Sequence, residues 1–201
     1  AIGNTFSSKE PSQAVMDEAD AGWKDNLKED NVIIVTLARA AGENRTYLPG
    51  TDGVDASQNL NQTDPLGLSD DERDLVAAAI ESKNANGGKV IVLLNNASAM
   101  EIDELKNNDG IDAMLQIGLP GGYGFYGVAD ILSGEANPSG HLTDTYAVVN
   151  KNAPSAQNFG DFPYTNADPA YSINSVQVEA ENIYIGYKYY ETRYMDCVLG
   201  E

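Results

Sequence analysis

The side chain best placed to do chemistry is Glu43, which follows Gly42 and is flanked by Arg39 and Arg45. Just before it, Val32-Ile33-Ile34-Val35 has the short, β-branched, apolar character of a strand buried on both faces. Glu43 therefore stands on the loop that leaves a strand end. A carboxyl group held there beside a cleft becomes a general acid when burial raises its pKa toward neutrality. The same position also suits a plain solvated carboxylate, and position alone does not separate the two.

Other candidates carry less. There is no Gly-x-x-x-x-Gly-Lys-Ser/Thr phosphate loop and no Gly-x-Ser-x-Gly nucleophile elbow. Gly121-Gly122-Tyr123-Gly124 opens a helical stretch and either presents backbone N–H groups to an anion or makes a tight turn. The oxygen-bearing side chains of residues 52–64 lack the spacing of a calcium loop and read as a solvated loop. His141 is the only histidine and Cys197 the only cysteine, so no metal site, cofactor or internal disulfide is expected. With no Ser or Cys nucleophile motif near it, His141 reads as a surface residue. Tyr184, Tyr187, Tyr189 and Tyr190 suit stacking on a sugar ring and packing against a core equally well.

The elements that must position these residues alternate. Val15, Ala19, Gly22, Trp23 and Leu27 recur at helical spacing, predicting one amphipathic helix over residues 12–28. A polar loop fills residues 42–67, long enough to imply a function. Ser69-Asp70-Asp71-Glu72 is a capping box: Ser69 accepts from the Glu72 N–H while the Glu72 carboxylate reaches back to the Ser69 N–H. The helix it opens runs to about residue 84, burying Leu75, Val76, Ala79 and Ile80, and Gly87-Gly88 ends it. Further strands are predicted at residues 89–94, 111–117 and 141–149, and further helices at 101–107 and 121–133. Residues 150–180 read as an irregular excursion and 183–190 as extended. Strand, helix, strand, helix with short turns makes an α/β domain with a mostly parallel sheet covered on both faces. Ligands gather in such sheets at loops leaving the C-terminal strand ends, which is where the residue 42 loop begins.

Composition bounds the partners. The 201 residues suit a single domain, and the formal net charge is −19. A surface that acidic repels phosphate backbones and anionic lipid, so nucleic acid and membrane are not expected, whereas a neutral sugar meets no such barrier. No run approaches the roughly 18 consecutive apolar residues of a membrane helix. The lone cysteine fits a reducing, cytoplasmic compartment, with bacterial secretion left open.

Six segments, in order, resemble family 3 glycoside hydrolases, of which β-glucosidases are the commonest members. Arg39-Ala40-Ala41-Gly42-Glu43 is similar to the family's R-x-x-G-E, and Leu68-Ser69-Asp70-Asp71-Glu72 to its L-S-x-x-E. Residues 89–95, KVIVLLN, resemble K-V-V-V-L-L-N, and Pro120-Gly121-Gly122-Tyr123-Gly124 stands at the P-G-x-x-G turn. Residues 129–140, ADILSGEANPSG, are similar to A-D-V-L-x-G-x-x-N-P-S-G, and residues 183–192, IYIGYKYYET, to I-Y-V-G-Y-R-Y-Y-D-T. Together they extend from Val32 to Thr192.

The resemblance implies a C-terminal-type (α/β)6 sandwich domain that packs against a TIM-like barrel. The barrel would supply an aspartate nucleophile and this domain the acid/base carboxyl, carried over to Glu43. The reaction implied is retaining hydrolysis of a β-linked glucoside or oligosaccharide. Arg39, Arg45 and Tyr47 are the implied substrate contacts. The sequence departs from the family's G-E-G-x-D-R, reading Asn44-Arg45-Thr46 after Glu43, and from its G-K/R-L-P, reading Gly140-His141-Leu142-Thr143. No counterpart of the family's first strand precedes Ser12, and neither the closing motif nor a barrel segment is recognisable. Residues 1–201 are thus expected to be one α/β domain of a larger enzyme, inactive alone. A non-catalytic carbohydrate-binding or assembly module of the same fold is the alternative, and a flavodoxin-like cofactor domain, lacking a phosphate cradle, a weaker one.

Overall fold

A computed structural model describes residues 10–39, 64–157, 162–163, 175–176 and 178–194. The chain divides into two compact units, residues 1–148 and 149–201.

The first unit is built on a parallel sheet of three strands in the order β1 (Val32–Ala38), β2 (Lys89–Asn95), β3 (Ala113–Gln116). The register sets Val32 beside Lys89, Ala38 beside Asn95, and Leu94 beside Gln116. Because the strands are parallel, their C-terminal ends share one edge, and Arg39, Asn96 and Ile117 leave the sheet there side by side. Helix α3 (Asp70–Asn86) makes the crossover from β1 to β2. Its Val76 and Ala79 pack with Ile33, Val35 and Leu37 of β1 and Val90, Val92 and Leu94 of β2, and Met100 and Leu105 close that core. The reading of an α/β domain with a parallel sheet holds, with one correction in β1. Alternate residues of that strand are buried, while Val32 and Ile34 stay half-exposed, so the strand is covered on one face only. The central strand β2 is the one with apolar residues buried on both faces, Leu93 among them.

The ends of α3 follow from local chemistry. Ser69 Oγ accepts from the Glu72 N–H at 3.2 Å and Glu72 Oε2 accepts from the Ser69 N–H at 2.8 Å, forming the capping box. At the other end Gly87 adopts φ 73°, a left-handed cap that glycine reaches without strain. Helix α5 covers Gly121–Ser133, as its apolar spacing predicts, and a short helix α4 (Asp103–Lys106) lies within the expected 101–107.

Three sequence readings need correction. The expected helix over residues 12–28 is two pieces, α1 (Gln13–Ala19) and α2 (Trp23–Leu27). Asp20 leaves the helical region and its carboxylate accepts from the Gly22 N–H at 2.9 Å, a local turn that outcompetes the helix. Residues 141–149 form no strand: the polar run Thr143-Asp144-Thr145 interrupts the alternation, and the Thr143 hydroxyl donates to Asp144. Residues 183–190 are not extended throughout. Gly186, at φ 54°, turns the chain into helix α7 (Tyr187–Tyr194).

The second unit contains α7, a 3-10 turn at Asn150–Asn152, helix α6 (Pro154–Gln157), and a two-residue antiparallel pair, β4 (Phe162–Pro163) with β5 (Ser175–Val176).

Candidate active site

At the C-terminal end of β1 the chain turns inward through Arg39, which is 1 % exposed, and its guanidinium meets Glu72, which is 2 % exposed. Nη1 donates to Glu72 Oε1 at 2.5 Å and Nη2 to Oε2 at 2.9 Å, a two-pronged ion pair. The remaining donors are also engaged: Nε to the Pro65 carbonyl at 2.7 Å, Nη1 to the Ala38 carbonyl at 2.7 Å, and Nη2 to the Gly67 carbonyl at 2.6 Å. All five N–H groups of Arg39 thus have protein acceptors. Glu72 also accepts from the Ser69 N–H, so one carboxylate both caps α3 and neutralises the arginine. Glu10 lies close enough to feel both charges. Burial pushes its carboxyl pKa up, the Glu72 carboxylate adds to the rise, and Arg39 offsets part of it.

The stretch that receives the guanidinium is itself pinned. Asp64 Oδ1 accepts from the Leu66 N–H at 3.0 Å and the Asp64 carbonyl from the Gly67 N–H at 3.1 Å. The Leu66 carbonyl accepts from the Glu101 N–H at 2.8 Å, tying the turn to the segment that follows β2. Pro65, Leu66, Gly67 and Leu68 are buried, so the end of the expected 42–67 polar loop, beyond the 52–64 stretch read as solvated, belongs to the core.

Further along the same sheet edge lies an open cleft of about 650 Å³, lined among others by Asn96, Gln116, Gly118, Ser139, His141 and Tyr146. Gln116 Nε2 donates to the Asn96 carbonyl at 2.9 Å, and among the described residues Gln116 Oε1 is buried without a hydrogen-bond partner. Burial pushes the Tyr146 hydroxyl pKa up, and the neighbouring Asp144 carboxylate adds to it.

The structure treats the sequence candidates unequally. Arg39 is placed as described, with its charge turned inward. Glu43, Arg45 and Tyr47 lie outside the described residues. Gly121 to Gly124 form the first turn of α5, where the Gly124 N–H donates to the Pro120 carbonyl at 3.1 Å, which favours the turn over the anion cradle. His141 is exposed on the rim of the cleft. Tyr189 and Tyr190 meet edge-on with centroids 5.3 Å apart, while Tyr184 and Tyr187 stay exposed. Among the described residues no three His, Cys, Asp or Glu side chains converge as metal ligands, and no helix is long and apolar enough to cross a membrane. Glu72 as the partner of Arg39 was not anticipated. The available signal was chemical: an arginine directly after an apolar strand needs a buried carboxylate, and Glu72 is the acid whose carboxylate is already turned inward by its cap.

Over residues 3–189 the chain matches the glycosyl hydrolase family 3 C-terminal domain. Beta-glucosidase 3B from Thermotoga neapolitana, solved with glycerol and with glucose, superposes with a TM-score of 0.63 at 31 % identity, over 84 % of this chain and 21 % of that one. Thermostable beta-glucosidase B of Acetivibrio thermocellus is 26 % identical over 170 residues, 84 % of this chain and 20 % of that protein. Beta-glucosidase A of Butyrivibrio fibrisolvens is 34 % identical over 107 residues, 53 % of this chain and 12 % of that protein. The chain spans about a fifth or less of the length of these relatives.

Proposed function

The chain belongs to the C-terminal domain of family 3 glycoside hydrolases, and from that premise we propose that it supplies the acid/base carboxyl group, Glu43, of a retaining β-glycosidase. The observation that carries the reading is the sequence Arg39-x-x-Gly42-Glu43 following β1, whose C-terminal end, at Arg39, lies on the edge of the parallel sheet where ligands gather. A TIM-like barrel, which residues 1–201 do not contain, provides the aspartate that attacks the anomeric carbon. Protonated Glu43 gives its proton to the leaving oxygen, and the resulting carboxylate then removes a proton from the water that hydrolyses the glycosyl-enzyme. Retention needs the two carboxyl groups about 5–5.5 Å apart, so docking of the two domains completes the site. The substrate proposed is a β-linked glucoside or short oligosaccharide, in keeping with the glucose bound by the Thermotoga neapolitana relative. Arg45 and Tyr47, close to Glu43 in sequence, are the proposed sugar contacts.

The test uses the full-length enzyme carrying this domain. Glu43→Gln should lower kcat/KM for an alkyl β-glucoside by about 100- to 10,000-fold. It should barely change kcat/KM for a dinitrophenyl β-glucoside, whose leaving group needs no proton. Azide should rescue Glu43→Ala by forming the β-glycosyl azide. An unchanged rate on the alkyl substrate sinks the assignment.

A second reading, a carbohydrate-binding or assembly module that does no chemistry, draws on Asn44-Arg45-Thr46 replacing the family's residues after the glutamate. It predicts that glucose or cellobiose binds the domain by calorimetry while Glu43→Ala leaves hydrolysis intact.

A further inference from the structure

We propose that the cleft between α5, the end of β3 and residues 138–146 is a binding site for a neutral, hydroxyl-rich small molecule, a sugar ring. The first observation is a glycine that the fold itself does not require. Gly121 begins α5 at φ 60° and Gly134 caps it at φ 85°, conformations that favour glycine. A Cβ on Gly124 would lie 2.7 Å from Pro120 Cβ. Gly127, in the middle of this 13-residue helix, has neither reason: its φ is not left-handed, and among the described residues a Cβ there would meet nothing within 4 Å. Gly122 shares that open space but lies in the first turn and away from the cleft. Glycine is among the poorest residues inside a helix, so alanine would suit position 127 better on helical grounds. Gly127 does line the cleft, where bare backbone lets an occupant come close to α5.

The second observation is the chemistry of the walls. The cleft holds about 650 Å³, a size typical of small-molecule sites, and it opens at the C-terminal edge of the sheet. One wall, from β3 and α5, is apolar and carries Ile117, Val128 and Ile131. The other, from residues 138–146, offers Ser139, His141, Asp144 and Tyr146. That polar wall is tied back to the helix, because the Ala136 N–H donates to the Asp130 carbonyl at 3.0 Å just after the Gly134 cap. The Thr143 hydroxyl donates to Asp144 Oδ2 at 3.0 Å, which orients the carboxylate. Burial and the Asp144 charge push the Tyr146 hydroxyl up, so at neutral pH it keeps its proton and remains a donor. Neither lysine nor arginine lines the cleft, so an anion finds no counter-charge. A cation would have Asp144 alone, an exposed carboxylate whose attraction water largely screens. A sugar ring fits both walls: its C–H face lies on apolar atoms while its hydroxyls, each donor and acceptor, meet the carboxylate, imidazole and hydroxyl groups opposite.

The test counts radiolabelled D-glucose bound per molecule of the full-length enzyme by equilibrium dialysis. Gly127→Phe fills the cleft from the helix side and should remove one bound equivalent. Asp144→Asn leaves the space open and should weaken that same equivalent by about 10-fold, the usual loss when a charged acceptor is taken from a hydrogen bond. Circular dichroism identifies the folded variants, and Asp144→Asn decides the matter if Gly127→Phe does not fold. Equal numbers and affinities in the native enzyme and the folded variants would overturn the site. Gly127→Ala provides an independent check through stability. With only a small ligand to make room for, it should raise Tm by about 2–6 °C, as a better helix former. A lowered Tm would mean that the enzyme's own polypeptide is packed against Gly127, and that result also overturns the proposal. The count does not depend on Glu43, so failure of the acid/base assignment leaves this inference standing, and the reverse holds as well.

Discussion

Arg39 and Glu72, 33 residues apart in sequence, face each other fork to fork at the C-terminal edge of the sheet, with Nη1–Oε1 2.5 Å and Nη2–Oε2 2.9 Å. Both are buried, so each charge has given up its hydration. Three carbonyls complete the donor set of the arginine, and the Ser69 N–H adds to the acceptor set of the glutamate. That full satisfaction is what lets the pair persist inside, because a buried polar network is stabilising only when its members are matched.

Removing one member should cost far more than removing both. Glu72→Ala leaves a buried guanidinium without its counter-ion and is expected to destabilise the fold by about 3–5 kcal/mol. Arg39→Met/Glu72→Leu, which fills the space with apolar atoms, should cost clearly less than the sum of the single losses. Urea unfolding of the native protein, Arg39→Met, Glu72→Leu and the double variant measures the coupling. Additive losses would mean that the two side chains do not stabilise each other.

Much of the scaffold is local, and local features are legible. Ser69 and Glu72 are three residues apart, so the capping box follows from spacing alone, and the apolar run of β2 needs no partner to be recognised as a buried strand. Helix α5 follows its own apolar period from Gly121 to Ser133. What escaped is non-local or decided by competition. Val32 and Ile34 look the same in sequence as Ile33 and Val35, and only the layering of α3 on one side distinguishes them. Tyr187 to Tyr190 have strand-like composition, yet the turn at Gly186 takes them into a helix, as expected where strand propensity depends on a neighbour. In the candidate site, Arg39 was legible as a residue of interest through R-x-x-G-E, but its role was not. The substrate contact expected of it gives place to protein partners because Glu72, Pro65 and Gly67 are brought to it by the crossover through α3. Glu43 lies outside the described residues, and the role proposed for it comes from the family pattern alone.

Asp112 should make the fold sensitive to acid. Its carboxylate accepts from Lys83 Nζ at 2.7 Å, Lys89 Nζ at 2.9 Å and the Val90 N–H at 2.9 Å, joining the end of α3, the start of β2 and the entry to β3. The Lys83 hydrogen bond, followed by those from the Val90 N–H and Lys89, holds its pKa far below the usual carboxylate range. A carboxyl group whose pKa is lowered by folding stabilises the native state above its unfolded value, about 3.9, and the contribution drains away as pH falls toward the folded value. The melting temperature should therefore fall more steeply below about pH 5 in the native protein than in Asp112→Asn. Parallel Tm–pH curves for the two would contradict the assignment.

Gly110 is the position where the smallest added side chain should do the most damage. It sits between α4 and β3, with its N–H donating to Asn108 Oδ1 at 2.9 Å and its carbonyl accepting from Lys83 Nζ at 2.9 Å, so both sides of its backbone are tied. A Cβ built there would lie 2.6 Å from Ile80 Cγ2 and 2.8 Å from Ile80 Cδ1, well inside van der Waals contact. Ile80 cannot simply swing away: it is β-branched, stiff at χ1 within α3, and packed against the core. Gly110→Ala is expected to destabilise the protein by about 1–3 kcal/mol, the usual range for overpacking. Ile80→Val keeps Cγ2 and should relieve part of that loss, whereas Ile80→Ala removes both clashing atoms. In the Gly110→Ala/Ile80→Ala double variant the alanine methyl then occupies space vacated by the isoleucine. The double variant should be more stable than the sum of the two single losses predicts, by denaturant unfolding. Strict additivity would show that the close approach of α3 to the Gly110 turn is not what requires glycine there.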